Sequence, residues 1–108
     1  MILDKVGRLQ EAETYLREAL DIRTRFLPKG NLAIGKAEGA LGECLTAEKR
    51  YADAEPLLLD SYHDLTSSHI EKDPRMIEAL ERLVKFYEDS GNGEELTKYR
   101  ALLSREKQ

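Results

Sequence analysis

LAIGKAEGALGECLTAEKRYADAEPLLLDS, Leu32 to Ser61, reads as one complete helix–turn–helix unit, and the rest of the chain can be read outward from it. Ala54 in this stretch has a small counterpart in Ala12 and a larger one in Leu96, each 42 residues away. The same step relates Leu3, Leu45 and Tyr87, and it relates Leu41 to Leu83, Leu16 to Leu58 and Ala19 to Ser61. Large apolar residues return at large slots and small residues mostly at small ones. An isolated amphipathic helix does not hold register over such distances, so the period identifies a repeat architecture. One helix pair cannot bury both of its faces, and pairs of this kind stack on one another. The expected fold is all-α: helix pairs stacked as a short solenoid of about five helices.

The first segment, residues 1–6, matches the end of a helix in the complete unit. The chain is therefore expected to open inside a truncated first pair, as a C-terminal fragment of a longer array would. Gly7-Arg8 is a turn signal. Residues 9–26 follow with apolar side chains at helical spacing and Glu and Arg opposite, and Glu13/Arg17 forms a favourable i,i+4 pair. Pro28 and Gly30 end that helix, and Asn31 is placed to cap the next.

The second helix is expected over 32–48. Its glycines at 35, 39 and 42 each cost roughly 1 kcal/mol in a helix interior, so they need a structural reason. Close approach of another helix supplies it at Gly42, while Gly39 is expected on the floor of a groove. A third helix is expected over 52–70, with Pro56 in its second turn. Asp73-Pro74 has the form of a cap and first position for a fourth helix running to residue 89. Ser90-Gly91-Asn92-Gly93 then ends it, and a fifth helix covers 94–105. This gives one domain in three units, a partial repeat over 1–30, a complete repeat over 31–72 and a terminal repeat over 73–108.

Leu41-Gly42-x2-Leu45 followed by Ala54-x3-Leu58 resembles the tetratricopeptide repeat, whose pattern runs Leu-Gly, an aromatic three further on, then Ala-x3-Phe. Leu83-Val84-x2-Tyr87 and Ala12-x3-Leu16 carry parts of the same pattern. Leucine replaces two aromatics, valine replaces one glycine, and Glu38 and Leu80 stand in the tryptophan slot. The 42-residue period, longer than the family's usual 34, is similar to that of the kinesin-light-chain-like subgroup, whose second helix is extended, and the resemblance implies antiparallel pairs stacked as a right-handed superhelix. LVKFYEDSGNGEELTKYRALL is similar to the last repeat of bacterial arrays of this type.

The resemblance implies a non-enzymatic scaffold that holds a peptide or helix of a partner protein on its concave face, lined by the first helix of each pair. Carried over by register, the partner-binding candidates are Lys36, Gly39, Glu43 and Thr46 in the complete unit, and Glu78, Glu81, Lys85 and Glu88 in the last. That face is mostly acidic, so a basic or mixed-charge peptide suits it. The alternative for the same residues is an ordinary solvated surface. Two further readings stand beside the scaffold. One is a homodimer in which a second copy covers the truncated first pair around Ala12, Leu16 and Leu20. The other is a regulatory segment of a larger signalling protein such as a bacterial protein kinase, although no kinase motif lies within these residues.

Other function classes find little support. A net charge of −4 is the wrong sign for a nucleic-acid footprint, and no apolar run of ~18 residues is present to span a membrane. His63 and His69 are six apart, a poor metal spacing on a helix, so no metal or other cofactor is expected. The lone Cys44 fits a packed thiol in a reducing, cytoplasmic setting better than a nucleophile.

Overall fold

The computed structural model describes residues 2–66 and 74–107, with the backbone alone for residues 2–6. Five helices account for these residues, with no strand among them: α1 (Ile2–Phe26), α2 (Leu32–Ala47), α3 (Tyr51–Thr66), α4 (Pro74–Ser90) and α5 (Gly93–Glu106). The expected end of the third helix at Ile70 and the Asp73 cap lie outside the described residues. The period is visible in the helix starts: α2 and α4 begin 42 residues apart, as do α3 and α5. Successive helices pack antiparallel, and α2 is the hub, touching α1, α3 and α4. The fold is an all-α stack of helix pairs.

Helix ends follow local chemistry. Asn31 is extended at φ −63°, ψ 140°, and its side-chain oxygen accepts a hydrogen bond from Ala33 N at 2.8 Å, capping α2 as its position predicts. Asn92 does the same for α5, accepting from Glu95 N. At the other end of α2, Lys49 takes a left-handed conformation, φ 63°, and Arg50 N donates to Leu45 O at 2.9 Å. Gly91 repeats this at the end of α4, φ 81°, with Asn92 N donating to Tyr87 O. The first is a Schellman turn, with Lys49 N also donating to Thr46 O, while at the second Gly91 N donates to Tyr87 O as well. Lysine is strained in the left-handed region where glycine is not. Lys49→Gly is expected to stabilise the chain by about 0.5–1 kcal/mol, after the greater flexibility of unfolded glycine is set against the relieved strain. An unchanged or lowered urea midpoint would count against this.

Gly7 stands 42 residues before Lys49, yet no turn forms there. α1 runs unbroken from Ile2 to Phe26, which corrects the expectation of a break at Gly7-Arg8. Residues 2–6 make little more than one helical turn. Continuing the helix keeps each i→i−4 bond, and nothing lies within 4 Å of where a Cβ on Gly7 would sit, so no packed neighbour calls for a turn there.

The core gathers Leu41 and Leu45 of α2, Ala54 and Leu58 of α3, Leu80, Leu83, Phe86 and Tyr87 of α4, and Tyr99 of α5. Aromatic rings hold the last three helices together. Tyr51 meets Phe86 edge-on at 5.8 Å, and Tyr87 stacks on Tyr99 at 5.6 Å. The Tyr87 hydroxyl donates to Glu55 Oε2 at 2.8 Å, so its buried polar end is satisfied. Pro56 sits inside α3 without breaking it. The donor it lacks would have served Ala52, which is exposed.

The α2–α3 contact explains the glycines. A Cβ on Gly42 would lie 2.7 Å from Leu58 Cγ and Cδ2, and one on Gly35 would lie 3.1 Å from Asp64 Cβ. Ser61 Oγ donates to Gly35 O at 2.7 Å across the same seam. Residues with no Cβ let the two backbones approach this closely.

Candidate partner-binding groove

α2 and α4 are the first helices of successive pairs and lie side by side. The groove between them has a volume of about 560 Å³ and is lined by Glu43, Thr46, Ala47, Glu78, Glu81, Arg82, Lys85 and Asp89. Five of the residues read from the register therefore meet here: Glu43, Thr46, Glu78, Glu81 and Lys85. Three do not line it. Lys36 is exposed nearer the start of α2. Glu88 turns to α5, where Arg100 Nη2 donates to its Oε1 at 3.1 Å. Gly39 is buried rather than on the groove floor, because Arg82 of α4 lies across it.

Arg82 organises the site. A Cβ on Gly39 would collide with Arg82 Nη1 and come within 2.8 Å of Ser61 Oγ, so the glycine admits the guanidinium. The side chain is only 16% exposed and is held by two carboxylates. Its Nε donates to Glu43 Oε2 at 3.0 Å and its Nη2 to Glu78 Oε1 at 2.9 Å. A planar, forked donor suits this bridging role better than a lysine ammonium. At the rim, Lys107 Nζ lies 3.6 Å from Glu81 Oε2. The lining carries four carboxylates, those of Glu43, Glu78, Glu81 and Asp89, against the two cations of Arg82 and Lys85. The balance is acidic. Thr46 is mostly buried, and its hydroxyl donates back to Gly42 O at 2.7 Å, so it shapes the wall.

Arg82 was not among the residues indicated by the register. Its only sequence signals are its i,i+4 spacing from Glu78 and the vacant side-chain slot at Gly39, and these come together only once α2 and α4 are packed. Ala47 and Asp89 lie one residue beyond Thr46 and Glu88, at helix ends where a one-residue shift moves a side chain by 100°.

Neither Cys44 nor His63 lines the groove. Cys44 is buried, with Sγ 3.3 Å from Leu9 O. Burial, then the nearby Glu48 charge, pushes its thiol above the ordinary value, the opposite of an activated nucleophile. His63 is exposed beside Tyr62, and His69 lies outside the described residues. None of the described helices is long and apolar enough to cross a membrane.

The tetratricopeptide repeat family profile matches residues 1–65, which covers α1, α2 and nearly all of α3. The chain belongs to the tetratricopeptide repeat family. No curated protein and no solved structure matches it. Tetratricopeptide repeats generally mediate protein–protein interactions and are typically non-enzymatic. α4 and α5 fall beyond the matched residues. They extend the stack by a further pair, with Leu83 and Tyr87 buried as Leu41 and Leu45 are.

Proposed function

We propose that this tetratricopeptide repeat chain is a non-enzymatic scaffold whose groove between α2 and α4 holds a peptide or helix of a partner protein, with a basic or mixed-charge segment as the preferred guest. The observation that carries this reading is the groove itself. It is open, it has the dimensions of a ligand site, and its carboxylates outnumber its cations two to one. Arg82 is already neutralised by Glu43 and Glu78, which leaves Asp89 and the loosely paired Glu81 to meet a guest's lysine or arginine. Such charges set specificity and association rate more than raw affinity. The chain is taken as one domain in three units, 1–30, 31–72 and 73–108. The 42-residue spacing of helix starts supports placement in the kinesin-light-chain-like subgroup.

The test is charge reversal at two residues outside the core. Glu81→Lys with Asp89→Lys is expected to weaken capture of Lys/Arg-bearing peptides from a synthetic array about tenfold, with an unchanged melting temperature. A tenfold change corresponds to about 1.4 kcal/mol. Equal capture by the double variant would remove the groove from the account.

A further inference from the structure

Glu81, Lys85 and Asp89 stand four residues apart on α4, and all three line the groove between α2 and α4. Four residues advance a helix by about 6 Å, so they form one ridge whose charges alternate: negative, positive, negative. All three are exposed. The remaining cation of the lining is committed, since Arg82 is held between Glu43 and Glu78. The ridge is not. Among the described residues neither Lys85 nor Asp89 has an ion-pair partner, although opposite charges lie at i,i+4 spacing along it, and Glu81 has only the 3.6 Å approach of an exposed Lys107.

The rest of the lining bears on the shape of a guest. α2 contributes Glu43, the buried Thr46, whose hydroxyl is turned back to Gly42 O, and the small, exposed Ala47. No large apolar side chain is among the described lining residues. A helix docked in a groove is held by apolar anchors at i, i+3, i+4 and i+7, and this groove has nothing to cover them. An extended segment needs no such face. Its alternate side chains point the same way about 6.6–6.8 Å apart, close to the step of the ridge.

Resting on the groove reading given above, we propose that the guest is an extended segment of a partner protein with the charge order basic, acidic, basic at alternate positions, Lys/Arg-x-Asp/Glu-x-Lys/Arg. The outer cations meet Glu81 and Asp89, and the central carboxylate meets Lys85. The order is the same in both directions, so the ridge selects the charge pattern and not the chain direction. A segment that is basic throughout sets its central cation against Lys85, and like charges brought together in this way exclude wrong partners.

The experiment titrates fluorescein-labelled peptides against the full chain by anisotropy. One peptide carries Lys-Ser-Glu-Ser-Lys between Gly-Ser flanks, a second has lysine at the centre, and a third sets the same three charges four residues apart in an alanine helix. The first is expected to bind about fivefold more tightly than the second, the scale of an exposed ion pair, and more tightly than the third. Lys85→Gln should abolish the preference for a central glutamate, and Lys85→Glu should reverse it, with melting temperatures confirming that both variants fold. Equal or tighter binding of the all-basic peptide overturns the proposal, as does an order of peptides that Lys85→Glu leaves unchanged, or tighter binding of the helical peptide. Failure of the groove itself looks different: Glu81→Lys with Asp89→Lys would then bind all three peptides as the native chain does. If that double variant weakens all three while the native chain does not tell them apart, the groove stands and the charge order falls.

Discussion

Replacing Gly42 with leucine is expected to destabilise the chain by about 1–3 kcal/mol through overpacking. The added Cβ alone would sit 2.7 Å from two carbons of Leu58 and 3.4 Å from Ala54 O. Leu58 is 2% exposed and Ala54 wholly buried, so neither can swing into solvent. Ser61 Oγ and Gly35 O bind the same two helices a few turns away, which limits how far they can part. Helix propensity works in the opposite direction, since leaving glycine gains up to ~1 kcal/mol in a helix interior. The clash therefore has to exceed that gain for the expected sign to hold. Gly7→Ala is the matched control. Gly7 is also inside a helix, but nothing lies within 4 Å of its added Cβ, and this variant is expected to be neutral or slightly stabilising. Urea midpoints of the two variants separate packing from propensity. A Gly42→Leu midpoint at or above that of the parent would contradict the close seam.

The second large effect concerns Glu38. It is half-buried in α2, its Oε1 has no hydrogen-bond partner, and Asp64 and Asp60 of α3 stand nearby. Burial, then the hydrogen bond with Asp64, then the charges of Asp64 and Asp60 push its carboxyl from the ordinary 4.5 up to about 9. The folded chain thus keeps a proton that the unfolded chain releases near pH 4.5. The resulting stability is fully present below that pH and is lost as pH rises toward 9. Glu38→Gln keeps the shape without the ionisation and supplies a donor for Asp64. At pH 8 it is expected to be more stable than the parent by about 1–2 kcal/mol, a figure kept small because solvent still reaches part of the side chain. At pH 4 the two should be nearly alike. Parallel stability profiles between pH 4 and 9 would show that Glu38 does not titrate in this window.

These residues also show what could be read in the sequence. The spacing of Ala12, Ala54 and Leu96 located the helix pairs, because a repeat places equivalent small and large side chains at a fixed distance. Gly42 was legible for a related reason: a glycine inside a strongly helical stretch has a cost, and close approach accounts for it. Gly7 was misread, since a left-handed turn at 49 and 91 requires a packed helix before it, and turn chemistry alone does not create one. Gly39 and Arg82 were not legible from either residue alone. The guanidinium crosses from one repeat to the next, and the register relates equivalent positions without describing contacts between inequivalent ones. The outward face of α1 was shifted for a similar reason. Leu16 and Leu20 turn toward α2 and the core, and Tyr15, Ile22 and Phe26 take the open side.

The most direct measurement is a solution NMR titration of the labelled chain with the tightest-binding Lys/Arg peptide from the array. The account predicts amide shifts concentrated at Glu43, Thr46, Ala47, Glu81, Lys85 and Asp89, and their loss in the Glu81→Lys/Asp89→Lys variant. Shifts confined to α1 or α5, or persisting unchanged in that variant, would contradict the groove between α2 and α4 as the place where a partner is held.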